Sequence, residues 1–255
     1  MSARARAAVP DAALLVEDAG EVTLAVADAH VGIEGAMAAR GVRMDSAGPA
    51  LEMAGEIAAL ARRASARRIV LLGDTKAGTS RITAAEWDAV PAFLSRLAGA
   101  AETVVVPGNH DAGMARLLPD GVSMTAPSGI VIGGTLLTHG HAMPSENLAG
   151  VSRIVMGHAH PVVRDASSVL GGRRVWATMV ARRGAVFASS RGRLEITVVP
   201  SFNRHTAALP GPRGAARARS PILERARRGI VSARVITLGG ALLAEGPSAL
   251  DGILW

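Results

Sequence analysis

Cysteine and tyrosine are absent from the 255 residues, and lysine occurs once, as Lys76. Without cysteine there are no disulfides and no thiolate-bound metals, so any metal chemistry falls to His, Asp and Asn. A cysteine-free chain also fits a reducing compartment. Aromatic residues make up 2% of the chain, too few to suggest a platform for stacking single-stranded bases. Long apolar runs are missing too. None reaches the roughly 18 residues of a membrane span, and the N-terminal stretch leads into no signal-peptide core. These absences imply a cytoplasmic protein with no membrane partner.

What is present is apolar and basic. Hydrophobic residues account for 49%, enough for a sizeable core, and the formal net charge is +7, carried almost wholly by arginine. Such a charge attracts nucleic acid or another polyanion. An arginine-, alanine- and glycine-rich composition also arises from base composition alone.

Six of the seven histidines lie in four short motifs: Asp28-Ala29-His30, Gly108-Asn109-His110-Asp111, His139-Gly140-His141 and Gly157-His158-Ala159-His160. Gly73-Asp74 falls between the first two. Apolar runs at 22–27, 69–72 and 104–106 read as buried strands, and each ends in a motif. Between them, Leu51, Met53, Ile57 and Leu60 recur at helical spacing behind Gly48-Pro49. Trp87, Val90, Phe93, Leu94 and Leu97 do so behind the capping-box pattern Thr83-x-x-Glu86. The first half therefore reads strand, helix, strand, helix, strand, with ligands gathered beyond the strands' carboxyl ends. From 129 onward the strands shorten (129–132, 135–138, 153–156, 174–177, 194–199). The interval from His139 to His158 is too short for a comfortable helical crossover. A second, mainly antiparallel sheet is expected, with a hairpin at 235–238 and 241–244. The fold class is α/β: a two-sheet αββα sandwich forming one domain over 1–255, with a basic loop at about 201–234 that reads as a lid, a phosphate-binding loop or ordinary solvated chain.

Histidine with carboxylate is a metal-binding set. Asp28 and His30, two residues apart beyond a strand, can turn to one ion. Asp74 can bridge two ions, Asn109 offers a neutral oxygen, and His139, His158 and His160 complete the shells. Two divalent ions can clamp an in-line phosphoryl displacement and supply metal-bound hydroxide. His110 is the candidate general acid or charge stabiliser, with Asp111 holding its other ring nitrogen. His141 is either a substrate contact or a surface residue.

This order of motifs resembles the calcineurin-like metallophosphoesterase superfamily over about 22–161. Within it, the chain is most similar to the archaeal phosphoesterases related to the SbcD nuclease. Supporting details are Lys76 two residues after Asp74, His158-Ala159-His160-Pro161, Pro200-Ser201-Phe202-Asn203 and Ser220-Pro221-Ile222-Leu223. The resemblance implies Asp28, His30, Asp74 and His160 on one metal. It implies Asp74, Asn109, His139 and His158 on the other, and His110 as the catalytic histidine. It also implies manganese as the ion, with Fe, Zn, Ni or Mg as alternatives. SbcD-type nucleases carry an acid, and archaeal relatives often a histidine, where this chain has Ala77. The function so implied is a phosphodiesterase or phosphatase. An SbcD-like DNA nuclease and a non-enzymatic metal-binding scaffold are the alternatives. The partner is a phosphoester, with nucleic acid a candidate. Oligomeric state is not legible.

Overall fold

A computed structural model describes residues 3–38, 48–165, 167–207 and 220–255. The first sheet runs β1 (Arg4–Ala7), β2 (Ala13–Asp18), β3 (Glu21–Val26), β4 (Arg68–Leu72), β5 (Glu102–Val106) and β6 (Val122–Met124), side by side in chain order. From β3 to β6 neighbouring strands are parallel. Helix α1 (Ile33–Ala38) and helix α2 (Gly48–Arg63) lie between β3 and β4, and α3 (Ala84–Ala98) between β4 and β5. The second sheet contains β7 (Ile130–Ile132), β8 (Thr135–Thr138), β9 (Arg153–Met156), β10 (Val175–Arg182), β11 (Arg193–Val198), β12 (Ile230–Thr237) and β13 (Leu242–Glu245). Its spatial order is β13-β12-β10-β11-β9-β8-β7. Helix α4 (Pro221–Arg227) packs on its outer face.

The period-2 alternation of strands explains the layering. Leu24, Val26, Ile69, Leu71 and Val105 face α2 and α3. Ala25, Val70, Leu72, Val104 and Val106 face the other way, meeting Leu137, Val155 and Trp176 of the second sheet in one apolar layer. Ile154, Met156, Ile196 and Val198 face α4 and the C-terminal turn. The expected αββα sandwich is the observed architecture.

Several local expectations are corrected. β1 and β2 were not anticipated; β1 reads Arg-Ala-Arg-Ala, and its inward face consists only of the small Ala5 and Ala7. β8 and β9 pair in parallel although the connection holds only a 3-10 turn, Glu146–Leu148. Four of the six pairings in that sheet are nonetheless antiparallel. The 201–234 stretch is not one loop: Ser220 caps α4 through the Leu223 N–H, and β12 begins at Ile230. The lid reading of Arg213, Arg217 and Arg219 lies outside the described residues. In α2 the core face is built from Ala50, Ala54, Ile57, Ala58, Leu60 and Ala61, while Leu51 is 46% exposed. Trp87 is likewise exposed, under the guanidinium of Arg116. The Thr83–Glu86 capping box is present. Among the described residues no helix is long and apolar enough to cross a membrane.

The burial difference along α2 makes a direct prediction. Ile57→Ala should cost about 2–5 kcal/mol of unfolding free energy through cavity formation. Leu51→Ala should change it by less than about 0.5 kcal/mol. Urea denaturation measures both, and equal losses would overturn the assigned helix face.

Candidate metal centre

Parallel pairing places the first three motifs beside one another. Val26 is level with Leu71, and Leu72 with Val106, so the chain leaves β3, β4 and β5 at one edge and delivers Asp28, Asp74 and Asn109 to neighbouring loops. In the second sheet Thr138 is level with Met156, which delivers His139 and His158 together. The two sheets meet face to face, so both sets converge.

The loops are tightly wound. Seven described non-glycine residues have positive φ, and five of them are Asp28, His30, Asp74, His158 and His160. That left-handed region is sparsely occupied by non-glycine residues and concentrates where function requires strain. Here it turns alternate side chains of a loop toward the same point. Glycines admit the crowding. A Cβ at Gly108 would sit 2.3 Å from Asp74 Oδ1 and 2.4 Å from its backbone nitrogen. One at Gly73 would lie 2.4 Å from the His139 ring.

The side chains form three overlapping groups: Asp28, His30 and His160; His30, Asp74 and His110; and Asp74, His139 and His158. Asp74 belongs to two of them. Its Oδ1 lies 3.3 Å from His139 Nε2, and its Oδ2 lies 3.9 Å from His30 Nε2 and 3.8 Å from His110 Nε2. Asp28 Oδ1 is 3.4 Å from His160 Nε2, which is 3.3 Å from His30 Nε2. His139 Nδ1 donates to the Leu72 carbonyl at 2.8 Å, which leaves Nε2 facing the site. There it meets His158 Nδ1 and Asn109 Oδ1, each at 3.1 Å. Two ligand atoms about 2.1 Å from one ion stand roughly 3.0–3.4 Å apart at ordinary coordination angles. The spacings around His139 and His160 fit that requirement, Asp74 Oδ2 stands wider from His30 at 3.9 Å, and the nitrogen–oxygen donor set suits a divalent cation. All seven expected metal ligands are thus brought together.

His110 and Asp111 are arranged differently from expectation. His110 is a quarter exposed and faces the cavity, but its Nδ1 is bonded to the Ala77 carbonyl at 2.6 Å. The Asp111 carboxylate accepts from the backbone N–H groups of Thr75, Lys76 and Gly108. Asp111 therefore ties the Asp74 loop to the Asn109 loop rather than fixing the His110 tautomer. The His141 ring centre lies 5.3 Å from that of His139, and its buried Nδ1 has no hydrogen-bond partner.

The motif 200–203 has a role that its sequence did not reveal. Ser201 Oγ donates to the Asp28 carbonyl, the Phe202 N–H to the Ala27 carbonyl and Asn203 Nδ2 to the Ala29 carbonyl. Arg174 donates to the carbonyls of Ser201 and Phe202 from behind. This strap holds the strained Asp28–His30 loop. Ser220, besides capping α4, donates to the Gly140 carbonyl between His139 and His141. Glu86 adds a third tie: it accepts from the Gly78 N–H and holds the loop whose Ala77 carbonyl meets His110. The buried Lys76 ammonium bonds the Gly78 carbonyl of the same loop.

Electrostatics divide the imidazoles. Burial disfavours a charged His139, but its hydrogen bond to Asp74 and the charge of Asp28 outweigh that and raise it to about 9. His160 is raised despite burial because Asp28 faces it. Burial and the charge of His160 lower His30 to about 4, and burial and the charge of His139 do the same to His158. The imidazolium neighbours more than offset the burial of Asp28 and Asp74, whose carboxyls are held below the usual range.

Comparison with known proteins places the fold. No family model matches the sequence, and no curated protein matches it. Thirteen chains of solved structure do match. The crystal structure of the Pseudomonas putida nuclease MPE is 16% identical, with a TM-score of 0.51 over 91% of this chain and 100% of that one. The YfcE phosphoesterase from E. coli is 19% identical, with a TM-score of 0.39 over 88% of this chain and 97% of that one. At such identity the first likeness is one of fold.

The charge division predicts a pH profile for the metal-free protein. His139, raised from 6.5 to about 9, contributes stability that is complete below pH 6.5 and lost as pH rises through about 9. His30 and His158, near 4, act oppositely: below 6.5 the unfolded chain takes up their protons first, and stability falls. EDTA-treated protein should be most stable near pH 6.5, measured by urea midpoint, and bound metal should flatten the alkaline limb by displacing the His139 proton. A metal-free midpoint that does not fall between pH 6.5 and 9 would refute a charged His139.

Proposed function

We propose that this chain is a divalent-metal-dependent phosphoester hydrolase, a phosphodiesterase or phosphatase, with a dinuclear centre. The observation that carries the reading is the set of overlapping His–Asp groups sharing Asp74, opening into a cavity of about 1000 Å³. Asp28, His30, Asp74 and His160 would hold one ion; Asp74, Asn109, His139 and His158 would hold the other. Manganese is the ion first in line, with Fe, Zn, Ni and Mg as alternatives. Such a pair, when bound, neutralises phosphate charge and acidifies water enough to supply hydroxide near neutral pH.

The protein's own groups complete the chemistry. With its Nδ1–H donated to the Ala77 carbonyl, a protonated His110 presents Nε2–H to the cavity. Passing that proton to the leaving oxygen leaves the neutral Nδ1–H tautomer that the carbonyl already favours. Asp111 acts through position, by fixing the loops on either side. The apolar layer common to both sheets supports one domain over 1–255. The absence of cysteine supports a reducing, cytoplasmic setting. Kinship with the archaeal, SbcD-related branch is carried by the motif residues alone.

The test is hydrolysis of bis-p-nitrophenyl phosphate with manganese. His110→Ala should lower kcat by about 10²–10⁴-fold while retaining its metal, and Asp74→Asn should lose metal. Wild-type turnover that survives EDTA would sink the reading, and equal rates in wild type and His110→Ala would sink the role of His110.

A nuclease is the second reading. Arg164, Arg227 and Arg228 line the cavity, and the Pseudomonas putida fold neighbour is described as a nuclease. It predicts metal-dependent DNA cleavage with binding that weakens steeply with salt. Salt-insensitive binding, or no cleavage of any DNA with any divalent ion, would exclude it.

A further inference from the structure

The cavity is far larger than a phosphate needs. About 1000 Å³ matches the upper range of pockets that enclose a whole small ligand. His30, Asp74, Asn109, His110, His158 and His160 line one part of it. Another part is made by α4, the 162–164 segment and the C-terminal turn, and there the chemistry changes: Arg164, Arg227, Arg228 and Trp255 line the cavity together with Glu224.

Tryptophan is rare here, with three in the chain. Trp176 is sealed between the sheets and Trp87 lies on the outer surface of α3. Trp255 is the tryptophan placed on the cavity. It is half-buried and packs against the apolar layer beneath α4, which fixes its ring. The Arg227 guanidinium sits over it, 4.9 Å from the ring centre. Arg164 donates its Nε–H to the Ile253 carbonyl at 2.9 Å, using one of five donors and anchoring the arm to the same turn.

A flat aromatic ring topped by a planar cation is a stacking surface. Nucleobases stack on aromatic rings and on guanidinium planes alike, and further arginines beside it suit the next phosphate of a strand. We propose that this wall is a base-binding subsite. Trp255 and Arg227 stack on a nucleobase adjacent to the scissile phosphate, and Arg164 and Arg228 hold a neighbouring phosphate, so that the preferred substrates are single-stranded nucleotide phosphodiesters. This rests on the hydrolase reading. A base-paired duplex keeps its bases in its own stack and would have to unstack one to reach the ring.

Two measurements test it. The first compares kcat/KM of the manganese enzyme for thymidine 5′-(p-nitrophenyl phosphate) and for methyl p-nitrophenyl phosphate. Trp255→Ala and Arg227→Met should each lower the preference for the nucleoside ester, the former roughly tenfold, while Trp255→Phe retains most of it. Arg227→Met leaves the apolar packing of Trp255 in place and so covers the case in which Trp255→Ala folds poorly. The second titrates single-stranded oligothymidylate into manganese-loaded His110→Ala protein and follows tryptophan fluorescence. Quenching is expected, and its loss in the additional Trp255→Phe variant. An unchanged preference in both Trp255→Ala and Arg227→Met, quenching that persists in Trp255→Phe, or tighter binding of a duplex would each overturn the subsite. If no phosphoester is turned over, the hydrolase reading falls, while the fluorescence titration still decides the stacking surface.

Discussion

Two buried carboxylates surrounded by imidazoles set the terms for the rest of the molecule. Asp28 and Asp74 are 1% and 3% exposed, and a buried carboxylate without a cationic partner is prohibitive. His139 Nε2 faces an aspartate oxygen, an amide oxygen and another imidazole nitrogen at 3.1–3.3 Å. Electron-rich atoms come that close only with a proton or a cation between them. In the metal-free protein the two carboxylates raise His139 to about 9, so it holds a proton at neutral pH, and Asp28 raises His160 in the same direction. A divalent ion would meet the same need with more charge and would displace the protons. The low values of His30 and His158 keep their nitrogens free for an ion at neutral pH.

Holding such a cluster requires rigid surroundings. Side chains from both sheets meet at close distances, and Asp28, His30, Asp74, His158 and His160 sit at backbone angles that the chain would not adopt unaided. The strap from Ser201 to Asn203, Arg174 behind it, and the Asp111 carboxylate on three N–H groups hold those loops in place. Below them lies the apolar layer shared by the two sheets, which keeps the strand ends level. The sandwich, the strained loops and the polar ties are one solution to a single electrostatic problem.

Where the sequence was legible, the signal was local. Rare histidines beside Asp, Asn and Gly at the ends of apolar runs marked the seven residues that the structure brings together, because strand, turn and polar side chain are contiguous there. Asp111 was misread because its true partners are backbone N–H groups, which every residue possesses and no motif displays. Asn203 and Ser220 stood out only by likeness, since their partners lie 174 and 80 residues away. The parallel pairing of β8 and β9 ran against loop length, a rule that tertiary packing overrides. In α2, Ile57 and Leu60 face the core as their spacing implies, but alanines fill the rest of that face and Leu51 turns outward.

The arginine excess, ambiguous as composition, becomes interpretable residue by residue. Arg6, Arg63, Arg67, Arg68, Arg153, Arg204 and Arg234 are engaged with Glu or Asp side chains. Arg174 and Arg183 donate to backbone carbonyls and hold loops together. These account for much of the positive charge without any polyanion, and surface ion pairs of this kind add little stability. Arg164, Arg227 and Arg228 differ in location: they face the cavity that holds the His–Asp cluster. Together with Glu224 they line the same cavity as the His–Asp cluster, so a ligand bearing more than one negative charge would find partners at both. Under the proposed base-binding subsite, one phosphate of a strand would lie at the His–Asp cluster while the next would meet the arginines, which is the one use of the arginine excess that calls for a polyanion.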